Sequence, residues 1–461
     1  MERLRRIEDL PGPPGLPFVG NMLQINPAQL HLKAESWSRR YGEHFRLRLG
    51  RRQALVLANP EAIAAVLRDR PEGFQRTRRL AAISKDYGFS GLFSANGDSW
   101  RRQRPMVMAS FDPGHIKTYF PAIVKVTERF ARRWQRAALA GESVDLQADL
   151  MRYTVDVTAG LAFGADINTL ESDEEVIQAH LDKILPSLFR RLWAPFGHWG
   201  WLENRRLAKH LDALHRAVAD FIAQARSRME ANPRLREKPA NLIEAMIAAR
   251  DTPGSGLNDG DVAGNVLTML LAGEDTTANT LAWMIYLLHR HPEALQRARH
   301  EAVTKDLHKY EDMIALPFVD ACINETMRLK PVAPIIVLEP VRDAVVGRIE
   351  VPAGTIVMCL MRVGPTDERH FPEPQTFDPA RWLSGASATS AKRVAMPFGA
   401  GPRLCPGRYL ALLEMKMVMA MLLSRFEIES VTTPDGGEAK ERLAFTMTPV
   451  GLRLKLKQAK A

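Results

Sequence analysis

The sequence predicts a mainly α fold with small β-sheets, and three observations carry that reading. Apolar residues recur at helical spacing over long stretches, at about 115–139, 146–163, 174–190 and 204–230. A further helical pattern, from Asp259 to Arg290, is apolar almost all round, which marks a helix buried in a core. At about 1.5 Å per residue it is roughly 45–50 Å long, enough to cross the whole molecule. Strand-like alternation, by contrast, is confined to short runs.

The elements follow in order. Residues 1–17 form an N-terminal segment whose end, Pro11-Gly-Pro-Pro-Gly-Leu-Pro17, is stiff and polyproline-like. Residues 18–461 read as one large domain. An amphipathic helix is expected over 28–41. Phe45–Leu49 and Ala54–Leu57 should pair as a hairpin around Gly50, and Pro60–Arg68 should be helical. Residues 75–99 read as a long loop, because periodicity is weak and turn residues are frequent. Trp100 then opens a helix on which Arg104, four residues on, shares its face. A Trp/Pro/Gly-rich break at Trp193–Trp201 separates two helices, and Arg250–Gly260 reads as a loop.

Pro292 ends the long helix. On it Thr268, Ala272 and Thr276 lie on one face with Asp275 close beside. Buried polar groups need partners or a task. Glu325 and Arg328 face each other on a helix after Pro317, and Ile335–Leu338 is strand-like. Two strands are expected within Val345–Val357. The tail after Arg425 should close a small sheet with a hairpin.

The composition is 46% hydrophobic and 25% charged, that of a globular chain able to bury a large core. The first ten residues carry no apolar run, and no run elsewhere approaches the roughly 20 residues that a bilayer needs. Cys322, Cys359 and Cys405 are widely separated and match no disulfide framework or zinc pattern, which points to a reducing compartment. The expectation is a cytoplasmic protein, a monomer without a membrane span. The net charge of +10 comes mostly from scattered arginines, not a basic tract. That favours a docking face for an acidic protein over nucleic-acid binding.

Met396–Tyr409 is the most informative stretch. One cysteine, Cys405, sits among three glycines and three prolines ahead of an apolar helical pattern. A lone cysteine there is most simply an inert buried residue. A helix N-terminus, however, lowers a thiol pKa and prepares it for a metal. Phe398, Gly401, Arg403, Cys405 and Gly407 match F-x-x-G-x-R-x-C-x-G in full, and the chain thereby resembles the cytochromes P-450, the haem-thiolate monooxygenases. Further patterns of that family stand in its order: Trp100/Arg104 as W-x-x-x-R, Ala272–Thr277 as A-G-x-[DE]-T-T, Glu325/Arg328 as E-x-x-R, and Phe371–Trp382. They cover Trp100 to Gly407. The proline segment, similar to that of eukaryotic-type members, extends the likeness to residue 11.

The resemblance implies the cytochrome P-450 fold with its long helix over haem b. It implies that Cys405 is the iron ligand, hydrogen-bonded by the amides of Gly407 and Arg408, with Phe398 beside the sulfur. Trp100, Arg104 and Arg403 would hold the propionates, and Ala272 would lie over the haem. Thr276 and Asp275 would deliver protons. Glu325, Arg328 and Arg381 would form a structural network behind the haem. The helices on either side of Trp193–Trp201 would form the lid of the substrate channel.

The implied reaction is insertion of one O₂ oxygen into an apolar, small-to-medium substrate, as hydroxylation or epoxidation. Its electrons would come from NAD(P)H through a separate ferredoxin or flavodoxin-type donor with its reductase, since no flavin or iron–sulfur pattern is present. Arg101, Arg102, Arg408 and Lys416 would form the docking face. Substrate contacts are expected from Ile83–Phe93, Leu185–Leu192 (Leu185 and Phe189 among them), Ala272, Ala333, Ile335 and Phe445. One departure stands out. Pro340 occupies the strand position where many members place a propionate arginine, and Arg342 is the nearby substitute. A peroxide-using or isomerase-type enzyme is the alternative, and a non-catalytic haem sensor or carrier a third reading.

Overall fold

The computed structural model describes residues 4–171, 176–193, 200–383 and 385–459. Helices dominate, with small sheets to one side. Residues 194–199 of the Trp193–Trp201 break, and the first two residues of the helix expected from 174, lie outside the described residues.

The long helix runs Asp259–Arg290, as its pattern demands. Its start is a capping box: Asn258 accepts the Asp261 N–H, and Asp261 returns the bond to the Asn258 N–H. Its main neighbour is the helix Leu146–Phe163. The two approach closely at Gly273, where a Cβ would come within 2.6 Å of Thr158 Oγ1. Helices Pro113–Ala140, Pro317–Leu329 and Arg408–Arg425 complete the core around it.

The largest sheet has five strands, in the order His44–Leu49, Arg52–Leu57, Ile356–Leu360, Ile335–Pro340, Phe74–Arg76. Arg76 lies opposite Leu338 in this register. The expected tail sheet forms from Phe426–Thr432 and Arg453–Gln458, with Ser143–Asp145 added at its edge. The proline segment packs on the hairpin. Asn21, almost fully buried, donates to Pro13 O and Pro14 O, and Arg46 N donates to Pro11 O.

Three expectations are corrected. Residues 75–99 are not one loop, because Phe74–Arg76 is a strand and Arg78–Asp86 a helix capped by Thr77, whose Oγ1 accepts the Leu80 N–H. That helix buries only Leu80, Ile83 and Ser84, too short a stripe for periodicity to reveal. Arg250 and Asp251 end the helix Leu242–Asp251 and do not open the following loop. Residues 344–360 hold three strands: Ala344–Val346 and Ile349–Val351 belong to a sheet with Arg5–Arg6, and Ile356–Leu360 passes into the five-stranded sheet. A change of sheet leaves no trace in side-chain alternation.

Candidate active site

A cavity of about 2350 Å³ lies between the long helix and the cysteine loop. Cys405, Phe398, Arg403 and Gly407 line one side of it, and Ala272, Gly273, Thr276 and Thr277 the other. The loop is shaped by contact with the helix Pro60–Arg68. Gly401 has φ +70°, and a Cβ there would come within 2.6 Å of Arg68 Cα, so only glycine fits. The Cys405 N–H is tied to Phe398 O at 3.0 Å.

Burial pushes the Cys405 thiol up, opposed by the Gly407 amide and by the Arg104 and Arg408 charges. The amide that reaches the sulfur is that of Gly407. Such a thiol is inert until a metal ion takes the place of its proton.

Among the arginines that line the cavity, Arg70, Arg76, Arg104 and Arg403 form a cluster next to the cysteine loop. Arg403 is pushed down to about 9, first by burial and then by the charges of Arg70 and Arg104. Arg76 is also pushed down to about 9, by burial and then by Arg70 and Arg403. The Nε atoms of both lack hydrogen-bond partners. Guanidinium groups do not lose their protons in proteins. Clustered and at least half-buried, with two Nε atoms unpaired and no carboxylate bonded to any of them among the described residues, these four call for anions. Arg403 also lies over the buried Trp100 ring at 4.9 Å and donates to Ala95 O, while Arg104 donates to Leu404 O at 2.7 Å. A flat cofactor with two carboxylates at its edge and a soft ligand site at its centre answers this donor set. Haem b is such a group.

No motif in the sequence marks Arg76. It projects from the strand paired with Ile335–Pro340, next to the chain that carries Pro340. Arg342 is exposed in the turn beyond and does not line the cavity.

On the facing helix, Thr276 Oγ1 donates to Ala272 O at 2.8 Å, and its side chain lines the cavity. Asp275 does not line it. It is buried, and burial pushes its carboxyl up, offset by hydrogen bonds from Thr446 and Asn279. Asn279 Nδ2 reaches Asp275 Oδ1 at 2.6 Å, and Thr446 Oγ1 donates to Asp275 Oδ2. Thr446, 171 residues away in sequence, does line the cavity, so it links the acid to the chamber. No sequence signal pointed to it. Glu414 was also missed. It is buried against the same chamber, nine residues after Cys405, and burial pushes it up to about 8 despite a hydrogen bond with Thr277.

Behind the cavity, the fully buried Glu325 accepts from Arg328 Nε and Nη2 at 2.8 Å each, from Arg381 Nε at 3.0 Å and from Trp382 Nε1 at 2.8 Å. Arg328 Nη1 donates to Pro365 O and Pro374 O. Phe189, Ala333, Ile335 and Phe445 line the cavity with Ile83, Leu92 and Phe93. Leu185 does not; it is buried in the main core one turn before Phe189. Lys416 is also misplaced as a docking residue, since it is 12% exposed and paired with Asp320 at 3.0 Å.

No described helix is long and apolar enough to cross a membrane. The profile of the family described as Cytochrome P450 matches residues 10–456. Cytochrome P450 4F12 of Homo sapiens is 28% identical over 97% of this chain and 89% of its own length. Cytochrome P450 3A6 of Oryctolagus cuniculus is 26% identical over 91% of this chain and 86% of its own. Pentalenene oxygenase of Streptomyces avermitilis is 28% identical over 96% of both chains. With thiol, arginine cluster and threonine-bearing helix facing one chamber, and the profile spanning nearly every residue, the chain belongs to the cytochrome P450 family of haem b monooxygenases.

Proposed function

We propose that the chain oxidises an apolar substrate with O₂, using electrons from NAD(P)H delivered by a separate acidic ferredoxin or flavodoxin-type protein. The observation that supports this most is the single chamber shared by Cys405 and Thr276. When bound, the haem supplies O₂ activation and oxygen transfer. Everything else falls to the chain. Cys405 Sγ ligates the iron, and the Gly407 N–H tempers the sulfur's charge. Phe398 covers the sulfur side. Arg76, Arg104 and Arg403, with Trp100, hold the propionates. Ala272, which lines the chamber, would leave room for the haem against the helix.

Proton delivery is assigned to the facing helix. The Thr276 hydroxyl, which donates to Ala272 O and lines the chamber, would hold a proton at Oγ1 for the reaction. Asp275, which accepts the Thr446 hydroxyl, would relay protons through it: as a proton passes from Asp275 to Thr446 Oγ1, the hydroxyl would release its own into the chamber it lines. Glu325, Arg328 and Arg381 keep the wall behind the haem rigid.

The docking face is narrower than the sequence implied. Arg101 is engaged by Glu72 and Asp98. Arg102 and Arg408 remain, the latter stacked at 4.2 Å on Tyr409, which is 45% exposed. An acidic partner docking there would be weakened by salt. All three cysteines are free, which fits a cytoplasmic setting.

The test is Thr276→Ala. It should leave NAD(P)H consumption within about threefold, cut product about tenfold or more, and release peroxide, as befits loss of one proton donor. Unchanged coupling of consumption to product would refute the assignment.

A further inference from the structure

One wall of the chamber is the helix Val176–Trp193, which contributes Phe189, Leu192 and Trp193 to the lining. The helix Gly200–Ala231 packs along it. The first is fastened to the body of the molecule near its C-terminus, where Ser187 shares a 3.0 Å hydrogen bond with Tyr87 and Arg191 pairs with Asp86 at 2.8 Å. The second is fastened in its C-terminal half, where Phe221 stacks on Phe163 at 4.8 Å and Arg228 pairs with Glu244 at 2.8 Å. Away from those points the two helices meet at His180 and His210. Both are half-buried, their Nδ1 atoms are 2.8 Å apart, and their ring centres are 5.0 Å apart. His180 lies one turn before Ile184 and His210 one turn before Leu214, both buried in the main core. The pair therefore closes the polar end of an apolar seam.

A bond between two Nδ1 atoms needs one to donate and the other to accept. With both rings neutral, opposite tautomers meet that need. With one ring charged, an imidazolium donates to a neutral imidazole, and the bond is charge-assisted. With both charged, two N–H groups face each other and neither nitrogen can accept. The protons arrive in two steps that belong to the pair, and the second one breaks it. The surroundings offer that second proton no help. The charged groups facing the pair are Lys209 and Arg216, both cations on the helix of His210. Among the described residues no carboxylate pairs with either ring. On the elements packed against the two helices, Asp86, Glu244 and Asp259 are each engaged by an arginine, namely Arg191, Arg228 and Arg226. His215 is turned to Tyr87 O at 3.2 Å. His180 is pushed down first by burial and then by the charges of His210, Lys209 and Arg216. The bond's contribution is then undiminished above the ordinary histidine value of 6.5 and is lost as pH falls below it.

We infer that His180 and His210 form a pH-sensitive clasp on this wall of the chamber, which holds the two helices together while either ring is neutral and lets them part once both are charged. Release loosens the helix that carries Phe189, Leu192 and Trp193, so apolar molecules enter and leave the chamber faster in mild acid. The inference goes beyond the monooxygenase reading and rests on it only in that haem fills the chamber.

The test is the association rate of phenyl isocyanide with the reduced holoenzyme, followed by stopped flow at the Soret band from about pH 7.5 to about pH 5.5, the range that brackets histidine. The probe is apolar, ligates haem iron and carries no group that titrates there. Its rate should rise about tenfold across the range, the size expected when one hydrogen bond is lost and repulsion takes its place. His180→Phe should show the fast rate already at the upper pH, with no dependence on pH. His210→Phe should do the same, and either variant suffices if the other does not fold. A rate independent of pH in the unaltered protein, or a rise that survives in either folded variant, would overturn the inference. Failure of the isocyanide to bind, or absence of a thiolate-type reduced CO spectrum from the unaltered protein, would defeat the haem-thiolate reading and the inference with it.

Discussion

Arg76 and Glu414 are where physical chemistry adds most to the motif reading. Pro340 cannot hold a propionate, and the adjacent strand places Arg76 near the missing position. Replacing Arg76 by Leu should speed haem transfer to an acceptor apoprotein about tenfold or more, as for loss of one charge-assisted bond. Arg342→Leu should leave that rate unchanged, because Arg342 is exposed and off the cavity. Equal effects of the two changes would contradict the assignment. Glu414 makes a pH prediction. Its carboxyl is raised from the ordinary 4.5 to about 8, so the folded state favours the protonated form. The folded protein then holds a proton that the unfolded chain releases. Stability is undiminished below about 4.5 and falls as pH rises through about 8. Glu414→Gln should flatten that fall, seen as a smaller drop in Tm between acid and mildly alkaline pH. An identical slope in both proteins would show that Glu414 is not buried neutral. Its position was visible in the sequence as an acid inside an apolar helical pattern, but nothing there told which side of the helix faced a chamber.

At the scale of elements, legibility followed length and locality. The long helix was readable, because a sustained apolar pattern from about Asp259 and a terminating proline agree over its 32 residues. The hairpin at His44–Leu57 was readable from alternation around Gly50. The strand Phe74–Arg76 was not, since three residues carry no period and its partner is more than 250 residues away. Asp275 shows the same limit. Its helix position was correct, but its tie to Thr446 depends on where the tail folds back. The Glu325–Arg328 pair illustrates the opposite case, a common short motif whose weight comes only from burial. Both side chains are fully buried, and six further groups complete their bonding. Glu325→Ala leaves a buried guanidinium unpaired and should cost about 3–5 kcal/mol. Denaturant unfolding should show this, with Arg101→Ala as an exposed control that barely moves the midpoint. A loss at Glu325 no larger than the control's would mean that the network does not stiffen the core.

Across the whole molecule, the division of labour is spatial. The cysteine loop and its arginines face the long helix across one chamber, and the buried network backs it. The order of the motifs along the chain does not convey this, because the five-stranded sheet and the tail bring distant segments together. The central claim is that Cys405, inert as a buried thiol, is a thiolate ligand once haem b fills the chamber. The reduced CO spectrum of the purified holoprotein tests it most directly. The account predicts a Soret band at the red-shifted position of a thiolate ligand. A band at the position of a neutral or nitrogen ligand, with haem fully bound and the protein folded, would contradict it.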